Sequence, residues 1–390
     1  MKFSIGYNWQ YDLIEGLTPD NIEEFYGKLD SDTVGGGRPA VACSHIAKSE
    51  AASHIKGIHN KGFEFNYLLN SMCLYEGNFS KDARLRSLLE WLKSSCVESL
   101  TVALPSLAKF IKSNYPGFKI CVSTLAGVNS PQKARFWEGL GAEKITLAKF
   151  RVNRDFGLIR KIRKAVKCRL QLIANDGCLY DCPFSLNHGL FCSHASQESH
   201  PSGGFVADFY SLMCTYLKVS KPLNLIRADW IRPEDTLHYR DLGIDSVKLV
   251  DRGMATAFLR RVIEAYIHRE YKGNLIDLFP HPSKNINFIK PELKYIFKFF
   301  LRPGMANIFR LKRISSILSR NLLYVDNPAL DGFLLSLQDK KCDAVRCEDC
   351  GFCEETAKRA IRAVNGKDNY LREIEEVIED FKSGKLFTYL

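Results

Sequence analysis

Short apolar runs bounded by turn residues recur along the first 250 positions of the chain. They alternate with segments whose apolar residues follow a helical period. Phe3 to Tyr7, Phe63 to Asn70, Leu100 to Leu104, Lys119 to Thr124, Lys144 to Ala148, Arg169 to Ala174, Leu223 to Ala228 and Ser246 to Val250 read as strands. Between them, Leu85, Leu88, Leu89 and Leu92 fall at i, i+3, i+4 and i+7, and Leu158, Ile159, Ile162, Ala165 and Val166 follow a similar spacing. Such spacing predicts helices with one buried face. Pro19-Asp20-Asn21-Ile22 predicts a further helix start, its carboxylate lying in the first turn where the helix dipole favours it.

Strand and helix alternate about every 25 residues over roughly 270 residues, which favours a parallel (β/α)8 TIM-like barrel, an α/β fold, over an open doubly wound sheet. No dinucleotide fingerprint follows the first strand. Asn66, Asn70, Thr124, Arg154, Asn175, Arg227 and Arg252 are placed by this reading at or just after carboxyl ends of strands, the face on which such barrels carry their chemistry. The predicted organisation is a barrel over residues 1–280, followed by a basic helical segment and a cysteine-rich appendage over 281–390. Gly35-Gly36-Gly37-Arg38 lacks the Lys-Ser or Lys-Thr of a phosphate loop and reads as a flexible turn.

Composition narrows the class. With 46% hydrophobic and 25% charged residues in 390, the chain reads as an ordinary globular protein. It has no run of about 18 uncharged apolar residues that would cross a bilayer, and its first residues do not form a signal peptide, so a cytoplasmic location is expected. Thirteen cysteines in a reducing compartment argue for ligation rather than disulfides. Cys43, Cys73, Cys96, Cys121 and Cys168 stand apart and read as core thiols.

The other cysteines cluster. In Asn175-Asp176-Gly177-Cys178-Leu179-Tyr180-Asp181-Cys182-Pro183-Phe184, two thiols four residues apart sit in a turn made by Gly177 and Pro183, and Cys192 and Cys214 are able to complete a four-thiolate site. Cys342, Cys347, Cys350 and Cys353 form a second run, ahead of an amphipathic segment from Glu354 to Ala363 that reads as a helix. Its spacing approaches that of iron–sulfur ligands, and zinc is the rival because four thiolates also close a tetrahedral site.

The stretch from Asn175 to Phe184 with His188 and Cys214, then Ile231-Arg232-Pro233-Glu234-Asp235, Leu242-Gly243-Ile244 and Tyr271-Lys272-Gly273-Asn274-Leu275, together resemble the collagenase-like U-32 peptidase family. The resemblance implies a barrel with a four-iron four-sulfur (4Fe-4S) cluster, held here by Cys178, Cys182, Cys214 and Cys192. It also implies oxygen-independent hydroxylation, on RNA bases or quinone precursors, despite the peptidase name. No His-Glu-x-x-His or Gly-x-Ser-x-Gly supports proteolysis.

Two polar clusters accompany the cysteines. Asn153-Arg154-Asp155 follows one strand, and Arg227 and Arg232 follow the run from Leu223; arginine forks suit a carboxylate or phosphate. Glu234 and Asp235 read as helix-capping acids. His188 is a candidate acid, base or donor to a thiolate, and Asn175 a candidate polar group beside the cysteines. From Lys284 to Arg320 the chain has nine Lys or Arg against one acid, Glu292, with Phe288, Tyr295, Phe297, Phe299, Phe300 and Phe309 threaded through. That composition fits an RNA or other polyanion surface, or a helix pair with solvated lysines. The helix predicted over Tyr370 to Lys385 reads as a solvated cap.

The expected function is therefore an iron–sulfur-dependent modifying enzyme acting on RNA or on a small anionic or aromatic substrate. The alternative is a non-catalytic iron–sulfur scaffold or electron-transfer protein working with a protein partner or redox donor.

Overall fold

The computed structural model describes all residues except 75–78, 205–206, 281–306, 339, 341, 343–344 and 388–390. Eight parallel strands, β1 Lys2–Gly6, β2 Ile22–Gly27, β3 Glu64–Leu69, β4 Ser99–Val102, β5 Lys119–Val122, β6 Ala142–Thr146, β7 Arg169–Ile173 and β8 Ser246–Leu249, close into a barrel. Closure is made by β8 against β1, with Lys2 opposite Ser246 and Ile5 opposite Leu249.

The helices around it form for local reasons. In α1 (Lys48–Asn60), Ala51, Ile55 and Ile58 face inward. In α2 (Ala83–Ser94), the Asp82 side chain accepts from the amides of Arg84 and Leu85, and Leu85, Leu88, Leu89 and Leu92 are buried. Pro105 and Pro131 open α3 (Pro105–Asn114) and α4 (Pro131–Gly139), where a missing amide hydrogen costs nothing. Asp155 caps α5 (Phe156–Ala165), which buries Phe156, Ile159 and Ile162. Between β7 and β8 the chain inserts α6 (Ser185–His194), α7 (Phe209–Ser220), α8 (Leu223–Arg227) and α9 (Thr236–Asp241), and α10 (Thr256–His268) follows β8.

Within the barrel region two segments differ from the sequence reading. Residues 22–27 form β2 rather than the helix expected to start at Pro19-Asp20-Asn21-Ile22: Glu24 turns into the barrel and Phe25 packs in the core. Leu223 to Arg227 form the short helix α8 rather than a strand. A five-residue apolar run carries too little periodicity to distinguish the two. The missed strand and the false one leave the count at eight.

The barrel interior is partly polar. Glu24 Oε1 accepts from Lys144 Nζ at 2.6 Å and from Ser4 Oγ at 2.7 Å, while Asn66, which lies inside β3 rather than at its end, donates to the same carboxylate at 3.2 Å. Thr101 donates to Asn66 Oδ1 at 2.8 Å; across the barrel Thr146 donates to Gln171, and Gln171 to Ser246. Burial pushes the Glu24 carboxyl up, but the Lys144 charge and the hydrogen bonds from Lys144 and Ser4 hold it below its ordinary value.

Beyond the barrel, the helix Ile308–Leu318 and the helix Lys367–Lys382 pack on α7. Arg310, Arg313 and Arg320 pair with Asp380, Glu376 and Glu373. The last helix is not a solvated cap, because it buries Tyr370, Ile374, Val377 and Ile378. The helix expected from Glu354 runs Phe352–Ala360, after which Ile361–Ala363 pairs antiparallel with Leu323–Val325. Most of the basic segment from Lys284 lies outside the described residues.

Glu24 and Lys144 are both nearly inaccessible, at 2% and 4% exposure. Glu24→Gln leaves the Lys144 ammonium with Glu23 alone, and the expected loss is about 3 kcal/mol at neutral pH, read from urea denaturation. Because the folded carboxyl titrates below the ordinary 4.5, its stabilisation is present above that pH and lost below it, so the gap between wild type and variant should narrow on acidification.

Candidate functional site

At the carboxyl end of β7 the chain passes through Ala174 into Asn175. Asn175 Nδ2 donates to the carbonyls of Val250 and Leu278, the latter at 2.9 Å, and its Oδ1 accepts from Val250 N at 2.7 Å. The residue is fully buried and braces the cysteine loop against the loop after β8. Its role is thus positional.

Beyond this brace, Cys178, Cys182, Cys192 and Cys214 all line one cavity of about 330 Å³ at the barrel mouth. They come from the loop after β7, from α6 and from α7. Lys149, just past β6, reaches across so that its Nζ lies 2.5 Å from Asp176 Oδ2 and donates to Cys178 Sγ at 3.1 Å. Burial opposes the Asp176 charge, but Lys149 outweighs it and holds the carboxyl well below the carboxylate range. The Cys178 thiol is pushed up to about 12, first by burial and then by Asp176. Lys218, one turn after Cys214 on α7, is opposed by burial yet held above the usual lysine value by the Cys214 and Cys178 sulfurs. Two ammonium groups therefore face these sulfurs and favour their thiolate forms.

His188 stands on α6 one turn before Cys192. Its Nε2 lies 3.4 Å from Asp208 Oδ2 and its ring stacks on Tyr210 with centroids 5.4 Å apart. Burial opposes the imidazolium, but hydrogen bonds to Asp208 and Cys192 raise it to about 10. The glycine triplet is no loose turn. Gly35 N donates to Asp32 Oδ1, Gly36 N to Ser196 Oγ, and a Cβ on Gly35 (φ +79°) would stand 2.7 Å from the Ser193 carbonyl. This pinning delivers Arg38 to the cavity, where it pairs with Asp251 at 2.7 Å.

The arginines divide. Arg232 is 2% exposed and engaged by Asp235, by Asp331 at 2.8 Å and by the Asn327 carbonyl, so it is a structural tie remote from the cavity. Glu234 accepts from Tyr271 N and Asn327 Nδ2, and neither it nor Asp235 caps a helix through its side chain. The Arg154 guanidinium lies over the rings of Trp230 and Phe333, at 4.4 and 5.1 Å, and donates to the carbonyls of Ala228 and Trp230. Arg227 follows no strand. It lines a second cavity of about 380 Å³, together with Cys342, Cys347, Cys350 and Cys353.

In that second site Gly351, at φ +62°, turns the chain from a short helix carrying Cys347 and Cys350 into the helix carrying Cys353, and Phe352 stacks on Phe333 at 5.5 Å. The buried Arg227 Nε has no partner, an arrangement that suits a negatively charged group in the cavity. Burial pushes the Cys353 thiol up to about 11, and Arg154 and Arg227 oppose this. Of the cysteines taken as core thiols, Cys121 is buried, whereas Cys73 and Cys96 are exposed.

Among the described residues no group of three or more His, Cys, Asp or Glu side chains is arranged to hold a single metal ion. A cluster several atoms across places different demands on its ligands. Four thiols on one cavity wall, faced by cations, form a donor set whose chemistry suits an iron–sulfur cluster at the first site, and the second repeats it with Arg227 as the cation. Sequence reasoning overlooked Lys149, Asp176, Lys218 and Lys248. The available signals were Lys218 at i+4 from Cys214 and Lys248 as a lone charge between Val247 and Leu249.

A model of peptidase family U32 matches residues 41–179 of the chain. A protein of Methanocaldococcus jannaschii described as an uncharacterized protease is 31% identical over 308 residues, 78% of each chain. Among solved structures, the U32 peptidase Mk0906 aligns at TM-score 0.45 and 19% identity, over 63% of this chain and 90% of that one. FabK from Thermotoga maritima aligns at TM-score 0.29 and 11% identity, over 96% of each chain.

Removing the Asn175 brace isolates several buried backbone groups at once. Asn175→Ala is expected to cost about 3 kcal/mol in denaturant unfolding. It should also raise hydrogen exchange at the Val250 amide, while Asn175→Asp, which keeps the acceptor, should retain part of that protection.

Proposed function

This chain belongs to peptidase family U32, and from that premise we propose that it is an iron–sulfur enzyme that modifies a small anionic or aromatic substrate at the mouth of its barrel. The observation that carries the proposal is the convergence of Cys178, Cys182, Cys192 and Cys214 on one cavity with Lys149, Lys218 and Arg38. Those cysteines would hold a 4Fe-4S cluster, and Cys342, Cys347, Cys350 and Cys353 a second cluster rather than a zinc ion, because those four thiols are not arranged around a single metal ion. A bound cluster supplies one-electron chemistry. The chain's own groups supply the rest: Lys149 and Lys218 stabilise thiolate charge, Arg38 and Arg252 favour an anionic substrate, and His188 carries a proton beside Cys192. The reaction class favoured by the resemblance is oxygen-independent hydroxylation.

A small substrate is better supported than RNA. In the described part of the basic segment, Arg310, Arg313 and Arg320 are already paired with acids of the last helix. The peptidase reading has one observation on its side, the placing of His188 between Asp208 and Cys192, which is the order of a Cys-His-Asp relay. Cys192 is 6% exposed, which leaves a nucleophile there little access to a polypeptide.

Anaerobically purified protein should carry iron and acid-labile sulfide with visible charge-transfer absorbance. Cys178→Ser and Cys182→Ser should each lose the portion owed to the barrel site, and Cys347→Ser with Cys350→Ser the portion owed to the second. Iron unchanged in the first pair overturns the barrel assignment. Peptide hydrolysis that survives iron removal but is abolished by Cys192→Ala would favour the peptidase reading.

Affinity for total cellular RNA should be weak and nearly flat in salt. A single-strand polyanion surface would instead add about 0.7 to the logarithmic salt slope for each phosphate neutralised. A slope of several units, reduced by Lys312→Glu, would restore RNA as the substrate class.

A further inference from the structure

The first cavity contains a group that the cluster assignment leaves without a task. Lys248 is the third residue of β8, and its side chain turns into the barrel, as does that of Ser246 two positions earlier, which accepts from Gln171. It is 8% exposed and lines the cavity. The comparison with Lys144 is informative. Lys144 Nζ lies 2.6 Å from Glu24 and 3.0 Å from Glu23, a satisfied buried ammonium. Lys248 Nζ has the face of Tyr26, 3.7 Å from the ring centroid, and among the described residues no carboxylate stands within ion-pair distance of it. Glu24, the nearest acid in charge terms, is already held by Lys144, Ser4 and Asn66.

An ammonium whose neighbour among the described residues is an aromatic face must rely on the cavity for the partners of its three donors, and is less well solvated there than in bulk water. Burial accordingly lowers Lys248 to about 8, with Lys144 and Arg252 adding to that effect and Glu24 and Cys121 opposing it. About a tenth of the amine is then uncharged at pH 7, far more than for an ordinary lysine, and it lies beside open space rather than sealed in packing. The same wall carries Arg252, which is 5% exposed and whose Nε has no partner in the chain. An uncharged nucleophilic amine and an incompletely paired guanidinium on one cavity define a complementary ligand: a carbonyl compound that also carries an anionic group.

We propose that Lys248 is a covalent nucleophile that condenses with an aldehyde or ketone substrate bearing a carboxylate or phosphate, the anionic group being held by Arg252. Lys248 Nζ attacks the carbonyl carbon, the carbonyl oxygen leaves as water after taking up one proton from the attacking amine and one from solvent, and a protonated imine remains on the chain. No electron is transferred, so the step needs no oxidant or reductant. Formation of the imine draws electrons away from the adjoining carbon and prepares it for proton loss or bond cleavage. The inference goes beyond the iron–sulfur reading and does not depend on it.

The test uses the full-length protein with pyruvate as the probe and cyanoborohydride to reduce any imine to a stable secondary amine. Intact-mass measurement and peptide mapping should find one adduct per chain, on Lys248. Labelling should increase with pH through an inflection near 8, below the range of exposed lysines. Lys248→Met and Lys248→Arg should both abolish that adduct. The arginine variant keeps the charge beside Tyr26 and guards against a folding defect. Arg252→Met should weaken pyruvate labelling and leave labelling by acetone, which has no anionic group, unchanged. Absence of any adduct, adducts scattered over surface lysines, or an undiminished adduct in Lys248→Met would each overturn the proposal. Iron and sulfide measured on the same samples separate this outcome from failure of the cluster reading, since both lysine variants leave every cysteine in place.

Discussion

The cost of keeping charge out of water governs this molecule. A closed parallel barrel turns alternate residues of every strand inward, and here those residues include Glu24, Lys144 and Lys248. An unpaired ion at such a depth is penalised by several kcal/mol, so an acid brought in with one base all but requires that base to be placed within bonding distance. Glu24 and Lys144 satisfy the requirement, and the hydrogen bonds from Ser4 and Asn66 occupy the remaining lone pairs of the carboxylate. The rule continues upward to the mouth, where Lys149 meets Asp176 and Arg38 meets Asp251. Groups that break it, the cysteine sulfurs facing Lys218 and the lone Lys248, stand around the cavity.

The sequence disclosed the architecture through periodicity, and its two errors within the barrel region share one cause. Residues 22–27 and 223–227 are short segments whose local signals point the wrong way: Pro19 followed by Asp20 imitates a helix start, and Leu223, Leu225 and Ile226 imitate a buried strand. Tertiary packing decided both. The grouping of the cysteines was legible because each run is compact in sequence, and the folded chain gathers each around its own cavity. The arginines were not. Whether a guanidinium greets a substrate or ties loops together depends on partners far away in sequence, as Arg232 shows with Asp331 and Arg154 with Phe333. Lys149, drawn to Asp176 across 27 positions, left no local mark at all.

Beyond the barrel, the net charge of the chain is a poor guide to its surface. The arginines of the helix Ile308–Leu318 and Arg320 interlock with acids on the helix Lys367–Lys382, so part of an apparently basic segment is neutralised from within. Phe333 joins the two regions at close range, touching Arg154 on one side and Phe352, beside Cys353, on the other.

The packing of α7 carries a consequence for how the protein is made. This helix belongs to the connection between β7 and β8 and brings Cys214 to the barrel mouth, yet Phe209 packs on Phe381 and Tyr216 donates to Glu375, 159 residues later. A ribosome adding about 5–20 residues per second releases that second half only after many seconds of further synthesis. During that interval α7 waits with its outer face uncovered beside the Cys214 thiol. Packing around this part of the cavity is thereby completed late, after the residues that cover α7 have been made.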